Sequence, residues 1–195
     1  YAENWAQWKG YSFNPVSGIS TESSDDDYTY RIQNGEATVI GYTGKAALLR
    51  IPSTLGGYPV TSIGDSAFYN CNKLECVTIP SNITTIGTSV FEACMSLESV
   101  IIEKGLTHIG VSAFRNCISL KSIMIPDSVT SIGRDAFYSC HVLESVTIPD
   151  GVTSIGYAAF GECFRLESVT IPESVTTIEN HAFRNCASLK SIILP

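Results

Sequence analysis

Basic charge is scarce in this chain: 12 Lys and Arg stand against 19 Asp and Glu, giving a formal net charge of −7. Nucleic-acid phosphates are bound by stripes of positive charge, so this balance argues against a nucleic-acid partner. Long apolar runs are missing as well. No stretch approaches the roughly 18 residues that a transmembrane helix needs, so no transmembrane segment is expected. No charged-then-apolar leader opens the chain, which starts at Tyr1 rather than Met and reads as a piece of something longer. Chemical motifs are absent too: there is no CxxC pair, HExxH, phosphate loop or calcium loop. Charged residues make up only 16% of the chain while 44% are hydrophobic, which suits a folded chain rich in buried strands and excludes general disorder.

What is present is a period. The Ile of Ile-Pro, or its stand-in, falls at Ile79, Ile102, Ile125, Ile148 and Ile171, with Leu194 next, each step being 23 residues. Phenylalanine keeps the same step from Phe68 to Phe183, cysteine from Cys71 to Cys186, leucine from Leu74 to Leu189, and the Ile before Gly from Ile63 to Ile178. A fixed period of this size is the signature of stacked repeats. One copy alone cannot bury enough apolar surface to offset the entropy of ordering its backbone, so stability must come from stacking.

Within one copy, Val146 and Ile148 alternate with outward residues as a short strand does, and Val152–Gly156 reads as a second extended piece closed by a turn. Ala159, Phe160 and Cys163 lie at i, i+1 and i+4, which fits a helical turn. The expected fold is therefore an α/β leucine-rich-repeat solenoid with a parallel β-sheet on its concave face and short helical turns and extended segments elsewhere. Its strands should centre near Val77, Val100, Ile123, Val146, Val169 and Ile192. Leu194-Pro195 falls in mid-repeat.

The block L-x-x-V-x-I-P-x-x-V-T-x-I-G-x-x-A-F-x-x-C, fullest at 120–140, 143–163 and 166–186, resembles the Treponema-type leucine-rich repeat of BspA-like surface proteins. The resemblance covers about residues 46–195. Departures are local: Val90 stands for Ala, Glu103 for Pro and Glu179 for Gly, and the first repeat carries five extra residues around Gly56-Gly57. The resemblance implies a bacterial or protist protein, extracellular, on the cell surface or secreted, used in attachment.

Ahead of the repeats, Tyr28–Gln33 and Glu36–Gly41 flank Asn34-Gly35, a strong hairpin signal, and Ala46–Pro52 reads as a degenerate first strand. This predicts three segments: an aromatic stretch (Trp5, Trp8, Tyr11, Phe13) with an acidic flexible linker over 1–27, an N-terminal β-hairpin cap with a degenerate repeat over 28–52, and a solenoid of six repeats over 53–195.

The six columnar cysteines have the wrong spacing for zinc, and a column is a line where zinc wants a tetrahedron, so they read as buried core thiols that no disulfide joins. Cys76, outside the column, is expected to be the accessible one. His108, His141 and His181 occupy three different columns and read as surface variation, which leaves no Ser-His-Asp arrangement, no enzyme activity, no metal and no cofactor. Asn82-Ile83-Thr84 forms a glycosylation sequon. The functional expectation is a non-catalytic module that binds a protein or glycan ligand on the concave sheet face. Its candidate residues are the outward strand positions Glu98, Ser99 and Ile101; Lys121, Ser122 and Met124; Glu144, Ser145 and Thr147; Glu167, Ser168 and Thr170. Ile101, Met124 and Ile193 stand as exposed apolar points where sibling repeats carry Thr, with Ile101 and Met124 in adjacent repeats. A structural spacer that carries another domain is the competing expectation, favoured by the repetitive Ser and Thr columns.

Overall fold

The computed structural model describes residues 25–193, so the aromatic stretch and most of the acidic linker lie outside the described residues. The chain opens with a short 3-10 helix at Asp25–Asp27, then β1 (Tyr28–Gln33) and β2 (Glu36–Tyr42), an antiparallel hairpin. β3 (Leu48–Arg50), β4 (Thr54–Leu55) and β5 (Tyr58–Ile63) follow. From there each repeat contributes two strands. The first set is β6 (Cys76–Ile79), β8 (Ser99–Ile102), β10 (Ser122–Met124), β12 (Ser145–Thr147), β14 (Ser168–Thr170) and β16 (Ser191–Ile193). The second is β7 (Thr85–Ile86), β9 (His108–Ile109), β11 (Ser131–Ile132), β13 (Ser154–Ile155) and β15 (Thr177–Ile178).

The first set and β3 form one seven-stranded parallel sheet, ordered β3-β6-β8-β10-β12-β14-β16. Its register is a whole repeat: Val77 pairs with Val100, Ile123 with Val146, and Val146 with Val169. All six expected strand positions fall within it. Strand alternation points these residues inward, and Val77, Val100, Ile123, Val146 and Val169 are all buried. In the second set β9, β11, β13 and β15 form a four-stranded parallel sheet with Ile109, Ile132 and Ile155 buried, while β7 pairs with β5.

Between the two sheets runs a single column of phenylalanine rings. Phe68, Phe91, Phe114, Phe137 and Phe160 are fully buried and stack at 5.0–5.4 Å between centroids; Phe183 extends the stack by 5.5 Å but is only half-buried. In that last described turn the columns meet solvent, with Ile178, Ile192 and Ile193 exposed.

The expected helical turn is something else. The sole helix among the described residues is the 3-10 helix at Asp25–Asp27, and the Ala-Phe segment is a ribbon of reverse turns. Ala67, Tyr69 and Cys71 donate their N–H groups three residues back, to the carbonyls of Gly64, Ser66 and Phe68. The alternate donors, Ser66, Phe68 and Asn70, point out of the turn and reach Thr88, Val90 and Glu92 of the next repeat, each at 2.9 Å. An α-helix would direct every N–H along its own axis. Here two residues four apart in each turn segment sit at positive φ (Ser66 56°, Asn70 59°), which breaks the helical run on either side of Phe68 and leaves alternate donors facing the neighbour. All three sides of the coil are therefore hydrogen-bonded to the next coil.

Glycine in the Ile-Gly column serves close approach. A Cβ on Gly133 would lie 2.9 Å from Gly110 C, Ile109 O and Val111 N, so the stacked corners leave no room for a side chain. At the other end of the coil, Asn34 and Gly35 take positive φ (54° and 80°), as a two-residue hairpin turn of the I′ type requires. β2 then joins β5 in parallel, and the rings of Tyr28 and Tyr42 pack on Phe68 at 6.5 and 5.2 Å. The hairpin thus closes the phenylalanine column. The five extra residues make a second small hairpin, β4–β5, turning through Gly56 and Gly57 at φ 58° and 81°.

Candidate functional site

The seven-stranded sheet turns its outward side chains to solvent in straight rows. Ser99, Ser122, Ser145 and Ser168 form one row in register, and Ile101, Met124, Thr147 and Thr170 form the next. Glu98, Lys121, Glu144 and Glu167 are exposed beside them, as are Thr147, Ser168 and Thr170, while Ser99, Ser122 and Ser145 are half-buried. The two apolar positions differ. Met124 is 37% exposed, whereas Ile101 is half-buried and so is not the freely exposed point expected from its Thr siblings.

Charge is ordered along this face. Lys121 Nζ lies 2.6 Å from Glu98 Oε2, Lys190 Nζ 3.2 Å from Glu167 Oε2, and Arg165 Nη1 3.9 Å from Glu144 Oε1. Such exposed pairs contribute about 0–1 kcal/mol each, so they arrange the surface more than they stabilise it. Glu103, the residue in the Pro column, has a local reason. Its carboxylate accepts a bond from Arg50 Nη1 (2.7 Å) and another from the Ser81 N–H (3.1 Å), and the Arg50 guanidinium holds it below the ordinary carboxylate range.

The cysteine column has a structural job. Each thiol after Cys71 donates to the carbonyl of the phenylalanine one repeat earlier: Cys94 to Phe68, Cys117 to Phe91, Cys140 to Phe114, Cys163 to Phe137 and Cys186 to Phe160, at 3.1–3.3 Å. Burial pushes Cys117, Cys140 and Cys163 well above the ordinary thiol value. Among the described residues all seven cysteines are free thiols. The expectation of six buried ones is too high: Cys94, Cys117, Cys140 and Cys163 are buried, but Cys71 and Cys186, at the two ends of the column, are half-buried like Cys76. An end thiol lacks cover from a neighbouring repeat on one side. Cys71 is also held below the ordinary thiol value by the adjacent Cys94 thiol.

The three histidines stay apart from any nucleophile-and-acid arrangement. His108 lies on β9, in register with Ser131 on the second sheet, its Nδ1 2.8 Å from the neighbouring Thr107 hydroxyl and its ring bonded to no carboxylate among the described residues; His141 stacks on Phe164 at 4.8 Å; His181 meets Tyr157 edge-on at 5.3 Å. Among the described residues no group of His, Cys, Asp or Glu side chains is arranged to hold a metal ion. A small open cleft of about 230 Å³ lies between Tyr42–Ala46 and Tyr69–Leu74, below the ordinary size of a small-molecule site. The sequon residue Asn82 is half-buried, its side-chain amide donating to the Val60 carbonyl, so the nitrogen a glycan would use is engaged.

One feature of the surface escaped the sequence reading. At the corner where the turn ribbon runs into the long sheet, Met95, Ile118 and Phe164 are 46%, 37% and 40% exposed, and His141 fills the gap in the same column. The signal was available as apolar residues in a variable column, and it was absorbed into surface variation.

Comparison with known proteins gives a uniform picture. The pattern described as BspA type leucine rich repeat region matches in six copies over residues 49–163 and 107–195. A leucine rich repeat protein of T. pallidum has the same fold at a TM-score of 0.83 and 33% identity, covering 88% of this chain and 81% of that one. A leucine rich cell surface protein of Faecalibacterium prausnitzii is 34% identical at a TM-score of 0.73, over 88% of this chain and 54% of that one. The pneumococcal vaccine antigen PcpA is 26% identical at 0.74, over 87% and 49% respectively, so this chain spans about half the length of the last two. No curated protein gives a significant match. No helix among the described residues is long and apolar enough to cross a membrane. With six matched copies across three quarters of its length and a fold to go with them, the chain belongs to the BspA-type leucine-rich repeat family.

Proposed function

We propose that the chain is a non-catalytic interaction module of an extracellular, surface-attached or secreted protein, which binds a protein or glycan ligand through the outward face of the long sheet. The observation that carries this reading is the continuous face itself. Seven parallel strands present rows of hydroxyl groups, ordered ion pairs and an internal interruption, Ile101 beside Met124, in a row that carries Thr78, Thr147 and Thr170 between Arg50 at one end and Ile193 at the other. Repeated hydrogen-bonding groups at a fixed spacing suit an extended ligand, and weak contacts summed over repeats supply avidity. Surface location rests on the company the chain keeps, since one relative is described as a cell surface protein and another as a vaccine antigen. In this reading residues 1–27 connect, 28–52 cap and 53–195 bind.

The test begins with a ligand found by glycan array or by pull-down with the intact chain. Ile101→Asp and Met124→Asp should then lower its affinity at least tenfold with little change in melting temperature. Substitutions at His108 and Ser131, on the second sheet, should leave it unchanged. Binding lost in the controls and kept in the pair would place the site elsewhere. The regular Ser and Thr rows favour one other reading, a spacer that holds a further domain away from the surface. It expects no affinity change from any of these substitutions.

A further inference from the structure

The corner column offers a second surface. Asn72, Met95, Ile118, His141 and Phe164 occupy successive repeats, and they are contiguous in space: the Met95 N–H donates to Asn72 Oδ1 at 2.9 Å, and His141 and Phe164 stack at 4.8 Å. Three of the five are large apolar side chains more than a third exposed. Isolated exposed apolar residues mean little, but Met95 and Ile118 in adjacent repeats, followed by the half-buried His141 ring stacked on Phe164, form one line in successive repeats of the kind that marks a contact.

We propose that this stripe docks a basic amphipathic α-helix from another protein, laid along the solenoid axis. The spacing selects the helix. The stripe presents one side chain per repeat, and the repeat step is 5.0–5.5 Å along the phenylalanine column. An α-helix offers one side chain per turn on a given face, about every 5.4 Å. At the stripe itself His141 and Phe164 lie 4.8 Å apart, so over the three steps from Met95 to Phe164 the two rows stay in register within about 2 Å. An extended strand offers one side chain per face about every 6.7 Å, and over the same three steps it drifts by about 4–5 Å, almost a whole repeat. Charge selects the sign of the helix. Along the edges of the stripe Glu98, Glu144 and Glu167 pair with Lys121, Arg165 and Lys190, and Glu75 and Glu162 stand against Lys73, five acids to four bases, in a chain whose net charge is −7. A partner helix with apolar residues at i, i+4, i+7 and i+11, flanked by Lys or Arg, meets both conditions.

The experiment uses three synthetic peptides of equal length against the whole chain, read by fluorescence anisotropy and circular dichroism. One has Leu at helical spacing with Lys flanks; the second has the same composition in alternating strand order; the third replaces the Lys flanks by Glu. The helical Lys peptide should bind at least tenfold more tightly than either other, gain helicity on binding and weaken as salt is raised. Ile118→Asn and Phe164→Ala should each reduce that affinity at least fivefold; Asn and Ala already stand in this column at Asn72 and Ala187, so the fold tolerates them. Ser131→Ala, on the second sheet, should change nothing, and Ile118→Asn should leave a sheet-face ligand bound as before, which keeps this test separate from the one for the sheet face. Equal or tighter binding of the strand-order peptide overturns the proposal, as does absence of preference among the three. Concentration-dependent dimerisation that Ile118→Asn abolishes would also overturn it, by making a second copy of the chain the occupant.

Discussion

Removing one ring from the middle of the phenylalanine column is the sharpest test of how this fold is held together. Phe114 has no exposed surface, and its ring stacks on Phe91 and Phe137, each at 5.4 Å and 5° between planes. Truncation to Ala leaves a cavity bounded above and below by rings that hydrogen-bonded backbone holds in place, so collapse is limited. The loss should fall in the upper range for such changes, about 3–5 kcal/mol, stacking included. Phe183 provides the internal control. It is half-buried and stacks on one ring, Phe160, at 5.5 Å, so its truncation should cost about 1–2 kcal/mol. Because repeats couple only to their neighbours, Phe114→Ala should also split cooperativity, and urea unfolding followed by circular dichroism should broaden or resolve into two steps. Equal costs at positions 114 and 183, or a single sharp transition with an unchanged slope in Phe114→Ala, would refute the nearest-neighbour account.

Three further outcomes follow from particular contacts. Thiol labelling of the native chain should modify Cys71, Cys76 and Cys186 first, with Cys71 the most responsive near neutral pH, while Cys94, Cys117, Cys140 and Cys163 react only as the chain unfolds; peptide mapping after a brief pulse reads this out. Gly133→Ala should destabilise by about 1–3 kcal/mol although its backbone is unstrained, since the new Cβ must displace stacked main chain at 2.9 Å; an unchanged denaturation midpoint would contradict the close-approach reading. Glu103 is held below the ordinary carboxylate range, so its pairing with Arg50 adds stability above that range, and the gain disappears as pH falls through its folded-state value. Glu103→Gln should therefore be less stable than the parent by under about 1 kcal/mol near pH 7, and the gap should close as pH falls through the folded-state value, as thermal melts over a pH series would show.

The long sheet was readable in the sequence because strand alternation and the step of 23 both act on the same residues. Val100, Ile123 and Val146 had to face inward together or not at all. The turn ribbon was not. Ala159, Phe160 and Cys163 have helical spacing, and the cue against a helix was spread thinly over Asn70, Asn116 and Asp135, residues that tolerate positive φ, while Ala93, Ala158 and Glu162 take it too. Bonds to the neighbouring repeat hold those residues where their own preference would not, and a single repeat cannot display a constraint that comes from the next. The rows on the sheet face were legible for the same reason as the sheet. The burial of Ile101 was not, because it depends on how neighbouring side chains lean. The corner stripe was visible only as a column that failed to repeat.

Hydrogen bonding on all three sides has a genetic consequence. Every coil offers the next one the same donors and acceptors, so a duplication or deletion of 23 codons inserts or removes a coil and restores every bond, wherever in the array it occurs. A change of 22 or 24 inside a strand or the ribbon shifts that side against its partner, whereas extra residues between them loop out, as the five at β4–β5 do. The gene encoding such a chain can therefore alter its reach only in whole units, each adding about 5 Å and one more copy of every outward residue. Diversity in the surface it presents then has to arise within columns, as it has from Met95 to Phe164.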